Sequence, residues 1–600
     1  MVKKLIVTFL ILGSWFSVFP QVDRIIWQRC LGTDNGWNKS QAIAKSKLGY
    51  LFGIELAEDG DSVTDYHGNV DAWIVSTDLS GNTLWERCYG GSDGDSPHKI
   101  ININDSTYFL VNTSISNDGD HQNQRSGLFW IVKINAQGEI LWENSYGGSS
   151  IGEEVRDAIL MRDNGLLLMC RIGSTGGDVT TFYGQMDIWF CRIDSSGNIL
   201  WQKTFGNAGL DNAIKIKLTS RNTVLMIGCH DASGGMIDCP EPYQNHPDVW
   251  LIEIGIENGE MLNQWCYGGT FDDQGQDVIE VDDGYVFAAS TNSNNGDVNG
   301  FHGVAGINGR YDFWIVKIDF FGNIVWQKCL GGNSDEYPVY LTETEDKGII
   351  VIGNTSSFDG DVTGNHSLYD FYYDIWVTKL DSSGNFLWGH CFGGAGTEKF
   401  WMQHSVLKID DYDYVLGTQA NYLNGDVECD LFPDDLQDDA WLFEIKDCTY
   451  YLPNAPVITF GPDTLCTIAN PVSFYSIDTV QWATGYQWKI EPESAGSILS
   501  DSVTSQVTWN PLFEGLVTVQ ARGANDCGYS AWSEPFITQV YSCMGVEEPG
   551  GMEAWGHGGL EVWPNPARDW ITLTLPENVS SGGLEISVYK IFKGKFVVFN

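Results

Sequence analysis

The stretch Asp312-Phe313-Trp314-Ile315-Val316-Lys317-Ile318-Asp319-Phe320-Phe321-Gly322-Asn323-Ile324-Val325-Trp326-Gln327-Lys328-Cys329-Leu330-Gly331-Gly332 reads as two short strands around a tight turn. Apolar and polar residues alternate on either side of Gly322-Asn323, the pattern of half-buried strands, and Gly-Asn supplies the positive φ that a two-strand hairpin needs. The same reading applies to Asp187-Ile188-Trp189 through Gly197-Asn198-Ile199-Leu200-Trp201. Two copies so alike point to an internal repeat, and a fixed period dictates architecture before any single strand does.

The first tryptophan recurs as Trp73, Trp130, Trp189, Trp250, Trp314, Trp376 and Trp441, which sets a period of about sixty residues. The second strand follows with Trp85, Trp142, Trp201, Trp326 and Trp388, while Asn263 takes its place in the fourth unit. Nothing follows Trp441. The missing strand stands at the other end of the chain, as Ile25-Ile26-Trp27-Gln28-Arg29-Cys30-Leu31-Gly32. A chain that begins with the strand its last repeat lacks is suited to a closed ring, which protects the edges an open array exposes. The rest of each unit holds an apolar strand, such as Gly284-Tyr285-Val286-Phe287-Ala288, and a polar Gly/Asp-rich loop. No segment of helical period is long enough for a β-α solenoid. The expected fold is all-β, a seven-bladed β-propeller over residues 23–447.

These repeats, with Gly-Asn-x-x-Trp, Gly-Gly and Asp-Gly-Asp-Val, resemble the β-propeller repeats of secreted Bacteroidetes-type proteins, a resemblance that implies the fold and no shared activity. After Cys448 the rhythm stops. Residues 448–545 contain short alternating strands, and Tyr486-Gln487-Trp488 with Asn525-Asp526-Cys527-Gly528 resembles PKD-like domains, which implies an immunoglobulin-like sandwich acting as a spacer. A linker at 546–559 leads to Pro564-Asn565-Pro566, which resembles the opening of the C-terminal sorting domain of the type IX secretion system. That resemblance makes the secretion machinery an expected partner. Residues 560–600 end before the domain's last strands, so a partial β-sandwich is expected there.

The 600 residues carry a net charge of -46. This excess disfavours nucleic acid and anionic membranes, which need clustered Lys and Arg. Lys3-Lys4 followed by an apolar run at residues 5–19 reads as a signal peptide over 1–22, and no later run is long enough to span a bilayer. The expected location is secreted or on the outer cell surface.

Export permits disulfides among the fourteen cysteines. Cys30, Cys88, Cys266, Cys329 and Cys391 recur at one repeat position and read as buried small hydrophobes. Cys229 with Cys239 and Cys466 with Cys527 are the disulfide candidates. Acidic loops recur at Asp59, Asp61, Asp118, Asp120, Asp359 and Asp361. They are calcium candidates, since calcium takes several oxygens in irregular geometry, but Asp and Gly also build such turns unaided. His67, His121, His302 and His366 follow in these loops and read as solvated. The aspartate of Asp-x-Trp, as in Asp71, Asp187 and Asp312, reads as a blade-building hydrogen-bond acceptor. The fourth unit departs most from the pattern, with Asn263 and the insertion at 238–246.

Regular repetition is the opposite of what a catalytic site needs, namely different groups in different roles. No nucleophile elbow, zinc-protease helix or phosphate loop is present. The expected function is therefore non-enzymatic binding of an extracellular glycan, peptide or protein, with no required cofactor. The alternatives are a polysaccharide lyase or hydrolase working on the propeller face, and a structural surface-layer component.

Overall fold

The computed structural model describes residues 24–542, except 34–36, 58–62, 64, 123–127, 149–151, 232–233, 240–245, 307–309, 423, 430–437, 448–450, 500–501 and 526, together with 561–562 and 573–574. The signal peptide, the 546–559 linker, Pro564-Asn565-Pro566, Asp59 and Asp61 lie outside the described residues.

Residues 24–446 form repeated four-stranded antiparallel sheets, seven among the described residues. The first is built from Asn38–Lys45, Gly49–Leu56, Asp71–Asp78 and Thr83–Tyr89, in chain order. Five more follow the same plan. The last combines Val406–Asp410, Asp413–Ala420 and Asp439–Lys446 with the N-terminal strand Arg24–Leu31, which pairs antiparallel with Asp439–Lys446 and sets Cys30 opposite Trp441.

Each sheet shares an apolar cluster with the next, from Ile74 against Trp130 onward. The cluster joining the sixth sheet to the seventh contains Ile352 and Phe443, and the one joining the seventh to the first contains Trp27 and Phe52. The series therefore closes in a propeller-like arrangement. The third strand of each sheet departs from the half-buried expectation: in Asp312–Asp319 both faces are covered. A sheet stacked between two others has no solvent face at its centre, and its outermost strand, such as Ile324–Leu330, is the more exposed one.

Two repeated contacts explain the tryptophans. In five of the seven sheets the first indole donates to the amide or carboxylate that follows the second-tryptophan position, as in Trp189 Nε1 to Gln202 Oε1 at 2.9 Å and Trp314 Nε1 to Gln327 Oε1 at 2.9 Å. The second indole covers the turn glycine of the next sheet. A Cβ at Gly81 would come 2.5 Å from the Trp27 ring, and one at Gly322, where φ is +89°, would come 2.1 Å from that of Trp265. The fourth unit thus keeps its covering ring despite Asn263. Residues two apart on a strand share a face, so Trp265 takes over the role.

Residues 458–541 form a sandwich. One sheet holds Ile458–Phe460, Val472–Ile477, Thr504–Trp509 and Gly496–Leu499; the other holds Thr464–Cys466, Phe536–Tyr541, Gly515–Asn525, Gly485–Glu491 and Gly528–Tyr529. Trp488, Trp509 and Tyr475 fill its core. It meets the ring through Tyr451, whose hydroxyl donates to the Asp410 carboxylate and whose carbonyl accepts from Asn525 Nδ2 at 2.6 Å. Among the described residues no helix is long and apolar enough to cross a membrane.

Candidate functional site

The acidic loops clip one sheet to the next. Asp118 Oδ1 accepts from Ser92 N at 2.7 Å and Asp359 Oδ1 from Asn333 N at 2.8 Å. Asp120 N donates to Gly90 O at 2.9 Å and Asp361 N to Gly331 O at 2.8 Å. The loop histidines, expected in solvent, take part in the clip. His302 sets Nδ1 2.7 Å from Asp312 of its own sheet and Nε2 3.4 Å from Asp361 of the next. His67 relates Asp71 to Asp120 in the same way, at 2.9 and 3.9 Å, and His366 lies 2.9 Å from Asp374 and 3.8 Å from Asp426. His121 is buried on the Trp130 ring, with Nε2 2.7 Å from Ser114 Oγ. The hydrogen bond that the His302 ring makes to the Asp312 carboxylate raises the pKa of His302.

The first strands of the sheets lie innermost, and a segment ahead of Val406–Asp410 fills the space between them. The carbonyl of Gln403 accepts from Lys215 Nζ, and its Nε2 donates to Gln276 Oε1 at 3.1 Å. His404 Nε2 lies 3.2 Å from the Arg156 carbonyl oxygen and 3.3 Å from Asp157 Oδ1. Both neighbours are acceptors, so Nε2 carries the proton. Lys99 Nζ reaches Asp157 Oδ1 at 2.6 Å. Burial alone would raise the Asp157 pKa, but Lys99, His404 and Lys215 outweigh it and hold the carboxyl well below its usual range. Burial pushes Lys215 down to about 8 despite Asp277, and His404 well below its ordinary value. Sheets far apart in sequence are tied across the axis, and the axis is plugged.

At one mouth of the plugged axis lies a cavity of about 410 Å³, bordered by Lys39, Gln41, Glu55, Glu154, Arg171 and Trp401. It opens where the second and third strands of each sheet are joined, the end opposite the Val406–Asp410 hairpin on which Tyr451 sits. Trp401 is 47% exposed and Trp37 40%, and Lys39 Nζ sits 3.9 Å from the first ring and 4.4 Å from the second. Trp401 Nε1 donates to Gln419, which fixes the ring. Glu55 accepts from Gln41 Nε2 at 2.5 Å and Ser96 Oγ at 2.7 Å, while Arg156 and Arg171 each lie 3.2 Å from Glu154 Oε2. His98, buried beneath, is pushed down to about 4 by desolvation. Aromatic rings continue outward. Lys399 Nζ lies 5.1 Å from Trp401 and 4.5 Å from Tyr373, Tyr373 stands 6.4 Å from Tyr337, and Tyr337 5.3 Å from Tyr311. Tyr369 and Phe371, both more than half exposed, stack at 5.2 Å. A larger cavity, about 820 Å³, follows the outer edge of Arg24–Leu31, and Trp27 and Phe392 are the aromatic residues of its lining.

The cysteine pairings differ from expectation. Cys239 bonds to Cys266, leaving Cys229 free and buried. Cys229 follows Gly228 on a central strand and its side chain is enclosed there, whereas Cys239 lies on the loop that reaches the outer strand. Cys30 likewise bonds to Cys429 on the corresponding loop of the seventh sheet. Of the five repeat-position cysteines, Cys88, Cys329 and Cys391 are buried, as expected, while Cys30 and Cys266 are disulfide-bonded. Cys466 and Cys527 are both disulfide-bonded, but not to each other. Cys466 stands level with Tyr541 and hence with the start of Gly515–Asn525, while Cys527 follows that strand's far end. Its 11 residues separate them by roughly 30 Å, far beyond the reach of a disulfide. The loops at 425–429 and 235–239 place a cysteine four residues after a glycine, a signal the sequence carries in both units.

Residues 452–536 match the model of the PKD-like domain family. No curated protein matches the chain. Among solved structures, the acylaminoacyl peptidase of Pyrococcus horikoshii is similar with 11% identity and a TM-score of 0.36, over 74% of this chain and 58% of that one. A member of the DUF4221 family from Bacteroides vulgatus has 10% identity and a TM-score of 0.30, over 71% and 99%. An apocarotenoid oxygenase of Synechocystis has 13% identity and a TM-score of 0.31, over 66% and 87%.

Proposed function

We propose that the repeated sheets are the blades of one seven-bladed β-propeller that binds an extracellular glycan on the face around Trp401, without chemistry on it. The observation that carries this reading is the fixed, half-exposed Trp401 ring beside Lys39 at the mouth of an axis closed by Gln403 and His404. A sugar ring offers an apolar C–H face and a rim of hydroxyls that both donate and accept. An aromatic platform takes the first, and the carboxylates, amides and lysine of the mouth take the second. The row from Trp401 through Tyr373 and Tyr337 to Tyr311 favours an extended polymer over a single residue. The pocket carboxylates are all engaged, Glu55 by Gln41 and Ser96, Glu154 by Arg156 and Arg171, and Glu153 by the Gly173 N–H and Ser174, which supports binding over acid–base work. The PKD-like domain, attached at the opposite end through Tyr451, leaves this face open and serves as a spacer. Disulfides and a PKD-like domain fit an extracellular protein. Export through the type IX route belongs to the same proposal.

The test is affinity electrophoresis of the full chain through gels containing soluble polysaccharides, with release of reducing ends measured in parallel. Retardation by at least one acidic or neutral polymer is expected, falling about tenfold or more in Trp401→Ala, since losing an aromatic anchor in a pocket costs upward of 1.4 kcal/mol. Retardation unchanged in that variant, or absent for every polymer, would overturn the reading. Accumulating reducing ends would replace it with the enzyme.

A further inference from the structure

The second strand of every sheet ends opposite the start of the third, and the end positions are Leu56, Ser114, Ile172, His230, Thr291, Thr355 and Ala420. A histidine stands there in one unit, the fourth. His230 is fully buried, and a nitrogen of its ring lies within 4.8 Å of the sulfurs of both Cys239 and Cys266. The Cys30–Cys429 staple joins the same loop to the same strand in the seventh sheet with Ala420 in place of the histidine. The staple therefore does not need an imidazole. Three soft donors meet at this point, with the His230 ring edge-on to Trp250 at 6.4 Å between centroids.

We propose that His230, Cys239 and Cys266 form a zinc site in the reduced chain, in competition with the Cys239–Cys266 disulfide. Two thiolates and one imidazole are the donor set zinc prefers, and one tetrahedral position is left for water or a further ligand. With Zn–S near 2.3 Å and Zn–N near 2.0 Å, the donor atoms of a tetrahedral site stand about 3.5–3.8 Å apart. Sulfurs released from their bond need only part to that distance, and the imidazole is already inside the 4.8 Å within which all three donors lie. The chemistry balances with a dithiol as reductant. Exchange breaks the Cys239–Cys266 bond, the dithiol closes into its own disulfide, and two cysteine thiols remain. Zn²⁺ then forms two Zn–S bonds and one Zn–N bond and releases the two thiol protons. Transfer of an external disulfide back onto the thiols reforms the staple and expels the ion.

The experiment uses the full chain, oxidised or reduced with a phosphine, titrated with Co²⁺ as a spectroscopic stand-in for zinc. The reduced chain is expected to bind one equivalent with intense sulfur-to-cobalt charge-transfer absorption that Zn²⁺ abolishes, and the oxidised chain to give none. Cys239→Ser and Cys266→Ser should lose the band, and Cys429→Ser, which opens the other staple, should keep it. His230→Ala should weaken binding by more than ~10-fold, as even outer partners of metal ligands count for that much. No band in the reduced chain, or loss in Cys429→Ser as complete as in Cys239→Ser, would overturn the proposal. Should the His230 variant misfold, alkylation of the reduced natural chain decides. Zinc must protect Cys239 and Cys266 while Cys30 and Cys429 react; equal reaction of all four overturns it.

Discussion

Trp441 Nε1 donates to Gln28 Oε1 at 2.9 Å, although 413 residues separate them. It is the bond that Trp189 makes with Gln202 within one uninterrupted hairpin. The closing sheet, assembled from both ends of the ring, thus reproduces a bond that four of the other sheets make. Beside it Trp27 Nε1 donates to Glu444 Oε2 at 2.6 Å. Gln28→Ala is expected to cost about 1–3 kcal/mol, the penalty of an unpaired buried donor, and Gln202→Ala the same. Urea unfolding of both variants checks this. A silent Gln28 variant beside a costly Gln202 variant would mean an open ring.

Cys30 and Cys429 close a loop of 399 residues, whereas Cys239 and Cys266 close one of 27. A cross-link restrains the unfolded chain more when its loop is longer. Cys429→Ser is therefore expected to destabilise by about 2–5 kcal/mol and more than Cys239→Ser, both measured without metal. Equal losses, or a larger loss for Cys239→Ser, would count against the long staple as the ring's latch.

The strands, turns and closing partner were legible because each rests on residues near one another in sequence. The Asp-x-Trp start, the Gly-Asn turn and the orphan strand around Trp27 are local patterns, and the ring follows from counting them. The disulfides were not legible, because the choice between Cys229 and Cys266 as partner of Cys239 depends on where a loop crosses a neighbouring strand. The role of Trp265 in the fourth unit is not marked by the repeat, because the pleat lets a ring two residues beyond Asn263 cover the same turn. The axial plug carried no signal at all. Gln403 and His404 belong to no repeated motif, and their partners Lys215, Gln276 and Asp157 come from three other sheets. The binding mouth inherits that difficulty, since Trp401, Lys39 and Glu55 meet only once the ring is closed.

Stability should fall between pH 6.5 and 8. Burial lifts Asp211, Asp248 and Asp273 to about 7 and Glu336 and Glu398 to about 8. His302 and His366 are raised by the hydrogen bonds their rings donate to Asp312 and Asp374. In every case the folded chain holds its proton longer than the unfolded one, so the stabilisation is complete below the unfolded pKa and disappears as pH rises through the folded one. His98, pushed down to about 4, acts in the opposite sense only below its unfolded value near 6.5, and Lys215, pushed down to about 8, only above that pH. The unfolding midpoint is expected to drop by ~2 °C or more across the window, and less in Glu336→Gln. A midpoint that rises from pH 6.5 to 8 would refute this.

Asp157 anchors the plug. Its carboxylate takes Lys99 Nζ at 2.6 Å, His404 Nε2 at 3.3 Å and the backbone N–H of Ile216 at 2.9 Å, all with the side chain fully buried. Removing the carboxylate leaves the Lys99 ammonium without its counter-charge and the His404 and Ile216 N–H groups without their acceptor, a loss of about 3–5 kcal/mol. Asp157→Ala is expected to cost that much. Asp157→Asn keeps acceptors for Lys99 and His404 but not the charge, and should fall between. Lys99→Met in the Asp157→Ala background should recover part of the loss, because the orphaned ammonium is then gone. Chemical denaturation of the three variants measures the coupling directly. If the double variant is no more stable than Asp157→Ala alone, the axial charges do not act as a unit, and the plug holds the sheets by packing rather than by ion pairing.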